Sequence, residues 1–185
     1  MPTMLNTGTR DIPLQFAKQL SDIVNAEWEQ GTFMQKVSTI TQDLLRFWFS
    51  PAFCDERRIN FHEGQKQAIL NTIYCHEILK TTSVFDMYQQ ASESIMDDQF
   101  LNTIRADKFA HPKYCIKMAT GTGKTWVMNA IFLWQYLNAK YNENKDSCTF
   151  TKNFLFVAPG LIVYERLLDS FLGKEDESGT RHFET

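Results

Sequence analysis

Apolar positions in the first half of the chain recur at helical intervals. Phe16, Ala17, Leu20, Ile23, Val24 and Trp28 fall three and four residues apart and share one helix face. Pro13 suits the first turn of that helix and Gly31 its end. Thr32 is the expected cap of a second helix carrying Val37, Ile40, Leu44, Leu45 and Trp48, which Ser50-Pro51 stops. Together they predict a helical hairpin within residues 1–60. A third helix is expected from Glu63 to Leu79. Residues 80–113 are polar, with an acidic pair at Asp97-Asp98 and a break at His111-Pro112. Two short helices, Val84–Ser92 and Gln99–Phe109, fit within them.

The pattern then changes. Tyr114–Met118 reads as a short strand, followed by a glycine-bearing loop and a helix from Lys124 to Tyr141. Asn142–Ser147 is a charged loop. Phe154–Ala158 reads as a second strand, bounded by Pro159-Gly160, and Leu161–Leu172 returns to helix. Strand, helix, strand, helix is the alternation of a parallel sheet with crossover helices, so an α/β fold is expected here.

Composition adds limits. Hydrophobic residues are 43% of the 185, enough to bury a sizeable core and too many for wholesale disorder. The fifteen Phe are assigned to that core. The net charge of −3 gives no overall basic footprint for nucleic acid, although a local patch needs none. The four cysteines, at 54, 75, 115 and 148, form no CxxC pair; Cys75-His76 alone lacks the spacing of a zinc site. Nothing suggests a disulfide framework, a signal peptide or a membrane span, and the expected setting is the cytoplasm, away from the membrane.

The candidate chemistry lies at residues 119–125, Ala119-Thr120-Gly121-Thr122-Gly123-Lys124-Thr125. A loop that embraces a triphosphate must bring backbone N–H groups close to crowded anionic oxygens. Gly121 and Gly123 remove the Cβ atoms that would block this approach. The helix that follows directs its N-terminal N–H groups and dipole at the same place. Lys124 is placed to reach the β- and γ-phosphates, and the Thr125 hydroxyl to ligate magnesium. The expected ligands are therefore ATP and magnesium.

The general pattern has glycine six positions before the lysine, where Met118 stands here. The string Met-Ala-Thr-Gly-Thr-Gly-Lys-Thr resembles motif I of the superfamily-two helicases and translocases, which commonly lack that glycine. Phe61-His62-Glu63-Gly64-Gln65, followed by Ala68-Ile69, resembles their Q motif, in which Gln65 would read the adenine edge. Gln65 lies farther upstream of Lys124 than is usual, which implies an insertion over residues 80–113. Phe154-Leu-Phe-Val-Ala-Pro-Gly-Leu resembles motif Ia, which would bring Pro159 and Gly160 to the nucleic-acid backbone.

From Phe61 to about Gly173 the chain is similar to the Res subunit of type III restriction systems and related helicases. Residues 1–60, ahead of it, are the helical N-terminal region that their apolar spacing predicts. The resemblance implies the first part of a RecA-like P-loop NTPase domain over 61–185. It also implies duplex DNA as a partner of the whole protein and a DNA-methyltransferase subunit beside it. Such a motor needs an Asp-Glu pair for magnesium and water. Asp55-Glu56 precedes the loop, and Glu175-Asp176-Glu177 follows no strand. The chain is thus expected to stop partway through the first motor domain, with little ATP turnover by itself. Two other readings of the loop remain at this stage, a P-loop ATPase acting on proteins and a nucleotide-binding module without DNA activity.

Overall fold

The computed structural model describes residues 12–92, 102–142 and 150–183. Asp97-Asp98, Cys148 and the start of the expected Gln99–Phe109 helix lie outside them. In the described part of that helix, residues 102–104 are helical and Asp107–Phe109 form a 3-10 turn.

The first helix, α1 (Ile12–Glu29), buries Ile12, Phe16, Leu20 and Val24, the stripe set by its apolar spacing. Pro13 lies in its first turn. Gly31 follows it in the left-handed region, at φ 73°. The expected second helix is divided. A single turn, α2 (Thr32–Lys36), ends at extended Val37, and α3 (Thr39–Phe49) begins afresh behind Ser38. The serine makes the break, because its Oγ accepts the Thr41 N–H at 3.1 Å and so caps a new helix. A one-turn helix α4 (Pro51–Cys54) follows.

The third expected helix is also interrupted. Helix α5 (Glu63–Ile73) widens into a π-helical turn over Tyr74–Ile78, in which the Leu79 N–H donates to Tyr74 O at 2.9 Å. Left-handed Lys80 ends it, and both the N–H and the hydroxyl of Thr81 return to Cys75 O. Apolar spacing cannot register one extra residue in a turn. Helix α6 (Val84–Ser92) forms where expected. So do the helix behind the loop, α7 (Lys124–Tyr141), and the last helix, α8 (Leu161–Leu172).

The core is helix on helix. Helix α7 packs against α5 and α3, and α1 packs against α5, α2 and α6. Val24, Phe33, Leu45, Ile69, Ile73 and Trp134 are almost fully buried at this centre. Many of the aromatics pack edge to face around it. Trp28 meets Phe33 and Phe49, Phe49 meets Phe61, and Phe61 meets Trp126 at 5.7 Å. On the other side of α7, Phe132 contacts Phe154, Phe156 and Phe171.

A buried polar cluster ties α3, the π-helical turn and α7 together. Glu77, only 5% exposed, accepts the Ser38 N–H on one carboxyl oxygen. Its other oxygen accepts the Thr41 hydroxyl at 2.8 Å and Trp134 Nε1–H at 3.2 Å. Asn138 Nδ2 donates to Thr41 Oγ1 at 3.0 Å, and the Ser38 hydroxyl donates to Asn138 Oδ1 at 2.6 Å.

The parallel sheet is not formed among the described residues. Neither 114–118 nor 154–158 carries ladder pairing. Ladder bonds require neighbouring strands within about 4.8 Å. Here residues of both segments line one apolar cleft of about 520 Å³, with Ile116 and Met118 from the first and Phe154, Phe156 and Val157 from the second. Helices α7 and α8 close it with Val127, Ile131, Val163 and Leu167.

The ladder that does form was not expected. It is a hairpin in which β1 (Lys174–Glu175) runs antiparallel to β2 (Arg181–His182). Asp176 shapes its turn by accepting the Ser178 hydroxyl and the N–H groups of Ser178 and Thr180. Those bonds, the Ser178 hydroxyl first, hold its carboxyl down at about 2. Among the described residues no helix is long and apolar enough to cross a membrane.

Candidate nucleotide-binding site

Residues 119–123 form a turn at the N-terminus of α7. The Thr122 N–H and hydroxyl both return to Ala119 O, at 3.4 and 2.7 Å. Gly121 and Gly123 take left-handed backbone angles, φ 81° and 74°. At Gly121 a side chain would meet nothing within 4 Å, so backbone angle alone calls for glycine there. At Gly123 an added Cβ would also lie 2.2 Å from Gln65 Nε2. Gly123 then starts α7, and its carbonyl accepts the N–H groups of Trp126 and Val127.

Ala119, Thr120, Gly121, Lys124 and Thr125 are exposed. Lys124 folds back over the loop and donates to Met118 O at 3.2 Å and Ala119 O at 2.8 Å. Those acceptors are neutral carbonyls, and a phosphate oxygen would make the stronger, charge-assisted bond. An exposed turn, free helix N–H groups and an ammonium on a flexible stem together suit a polyanion.

Gln65 does meet the loop. It is 6% exposed, and its Nε2 donates to Thr122 O at 3.1 Å and Gly123 O at 3.4 Å. Its Oε1 accepts the His62 backbone N–H at 3.0 Å, half of a capping box at the start of α5. His62 has no expected role in the sequence, yet its ring supplies the other half. Nδ1 accepts from Gly64 and Gln65 N–H, and Nε2 lies 3.1 Å from Thr122 O. The available signal was a side-chain acceptor three positions before a glutamine, disguised because histidine is an unusual helix cap.

Pro159 and Gly160 are exposed at the start of α8. Gly160 is extended, at φ −178°, with nothing within 4 Å of an added Cβ, so the backbone there does not require glycine. Lys124, Thr125 and Met118 line the same cleft as Val157, two residues before Pro159. The glycine loop and the approach to Pro159 thus share one wall.

The carboxylates set aside in the sequence are held in local structure. Glu175 pairs with Arg181 at 2.9 Å and Asp176 with His182 at 2.9 Å. Among the described residues no cluster of three His, Cys, Asp or Glu side chains could hold a metal ion.

Comparison with known proteins adds one match. The family model described as Type III restriction enzyme, res subunit, matches residues 58–183, which include the capping box, the loop and both flanking segments. No curated protein and no solved structure matches the chain.

Proposed function

This chain belongs to the type III restriction enzyme res subunit family, and from that premise we propose that it is the ATP-binding front part of an ATP-dependent DNA translocase or helicase. In this reading it serves as the restriction subunit of a type III restriction-modification system. The observation that carries the reading is the exposed turn at 119–123, with two left-handed glycines, opening directly into an 18-residue helix.

The loop N–H groups and the N-terminus of α7 receive the phosphates. Lys124 leaves the carbonyls of Met118 and Ala119 for the β- and γ-phosphate oxygens. Thr125 offers its hydroxyl to a magnesium ion, which supplies neutralisation of the charge on those oxygens. Gln65 backs the loop from behind and reads adenine by exchanging its bonds to His62 and Thr122 for the base edge. In this reading segments 114–118 and 154–158, unpaired here, pair as strands of a RecA-like parallel sheet in the whole protein, with residues 1–60 as a helical region and 80–113 as an insertion. Pro159 and Gly160 meet duplex DNA, and a modification subunit joins the assembly.

The test is ATP binding followed by calorimetry. Lys124→Ala is expected to abolish binding with the fold intact, because alanine is a good helix former at an exposed helix start. Unchanged ATP affinity in that variant would refute the loop assignment. Hydrolysis by the whole protein is expected to rise on adding duplex DNA, and a flat response would remove the DNA-motor part of the reading.

A further inference from the structure

The geometry points to His62 as a positioning residue that sets the conformation of the phosphate loop from behind. This inference rests on the nucleotide reading of residues 119–125.

The ring is bonded on both sides. Nδ1 accepts the N–H groups of Gly64 at 3.1 Å and Gln65 at 3.4 Å, so that nitrogen carries no proton. The ring proton of the neutral imidazole is therefore on Nε2, which donates to Thr122 O at 3.1 Å. One side chain thus caps α5 and holds a carbonyl of the loop. Gln65 Nε2 donates to the same carbonyl.

That carbonyl belongs to the Thr122–Gly123 peptide. In a trans peptide the C=O and the following N–H point in opposite directions. Two donors fixing Thr122 O toward α5 therefore turn the Gly123 N–H away from α5. Gly123 is the residue where the plane could most easily rotate, since glycine has the widest backbone freedom. His62 restrains a flip that glycine would otherwise permit, and keeps this N–H presented to the nucleotide before it arrives. Pre-organisation of this kind appears as affinity.

Two substitutions separate the loop role from the cap. His62→Asn keeps a strong N-cap acceptor but is too short to span to Thr122 O. His62→Gln reaches about as far as imidazole Nε2 and can still donate to Thr122 O, while capping α5 less well. Both are compared with the unmutated protein by thermal melting and by calorimetry with magnesium-ATP. His62→Asn is expected to melt near the unmutated protein and to bind ATP about three- to tenfold more weakly, the size of one neutral hydrogen bond. The loss is moderate because, until it turns to the base edge, Gln65 holds the same carbonyl. His62→Gln is expected to show the reverse, a lowered melting temperature with ATP affinity retained. Affinity that simply follows melting temperature across both variants, or undiminished ATP binding by His62→Asn, overturns the positioning role. Failure of the unmutated protein to bind ATP overturns the nucleotide reading itself and this inference with it.

Discussion

Gly123 and Gly160 are both glycines just before a helix, yet the backbone asks different things of them. Gly123 stands at φ 74° with Gln65 Nε2 where a Cβ would go, whereas Gly160 is extended and open. Gly123→Ala should cost about 1–2 kcal/mol from the left-handed angle alone, and should also displace Gln65. Gly160→Ala should melt within error of the unmutated chain. Chemical denaturation of the two variants checks the contrast, and equal losses would mean that the loop angles are not those described. At the same scale, burial pushes the Cys75 thiol up to about 12, while Cys115 is exposed. Of these two thiols, only Cys115 has the access that nucleophilic chemistry requires.

At the scale of elements, the cluster around Glu77 holds three pieces of chain together. Glu77→Ala would take this acceptor from the half-buried Ser38 N–H and from the buried Thr41 hydroxyl, and would leave Trp134 Nε1–H with Thr41 Oγ1 alone. The expected loss is about 2–5 kcal/mol, read by urea denaturation. A loss below about 1 kcal/mol would show that water replaces the carboxylate there. The C-terminal hairpin offers a pH test. Its Asp176 carboxyl is lowered from 3.8 to about 2, so its contribution is complete above about 3.8 and is lost as pH falls toward 2. Amide shifts of Ser178 and Thr180 should therefore stay flat from pH 5 to below 3.8 and then move. Movement centred near 3.8 would mean the turn bonds are not made. These elements also mark what the sequence could reveal. α1, α6, α7 and α8 were legible because an amphipathic stripe and its stop signals are local. The break at Val37-Ser38 and the wide turn at Tyr74–Ile78 were not, because Ser38 and Glu77 bond to each other and to Asn138 and Trp134 across long stretches of sequence. The loop at 119–125 was legible as a motif. That Gln65 and His62 bond to its rear was visible only after α5 had been placed against α7.

For the whole molecule, binding and turnover separate. Among the described residues, the cleft holding Lys124 and Thr125 is otherwise lined by apolar side chains and Gln135, with no Asp or Glu. Phosphoryl transfer to water needs a group to position the attacking water and further charge to stabilise the transition state. The 185-residue chain is expected to bind ATP weakly and to release no phosphate above background, with or without duplex DNA. A phosphate-release assay checks this, with Lys124→Ala as the control. Sustained turnover lost in that variant would place a catalytic carboxylate within these residues. Leu155, Val157, Leu161, Ile162, Val163 and Tyr164 are exposed, and of these Val157 and Val163 line the same cleft.

Helix α7 carries the phosphate loop at one end and Trp134 and Asn138 in its later turns. The later turns are bolted into the Glu77 cluster, and at the first turn Trp126 packs on Phe61 and Val127 is buried. A helix held at both ends behaves as a fixed post. If the loop takes a nucleotide, accommodation falls to the five residues in front of the post, so fidelity there depends on side chains that brace those five from outside the helix.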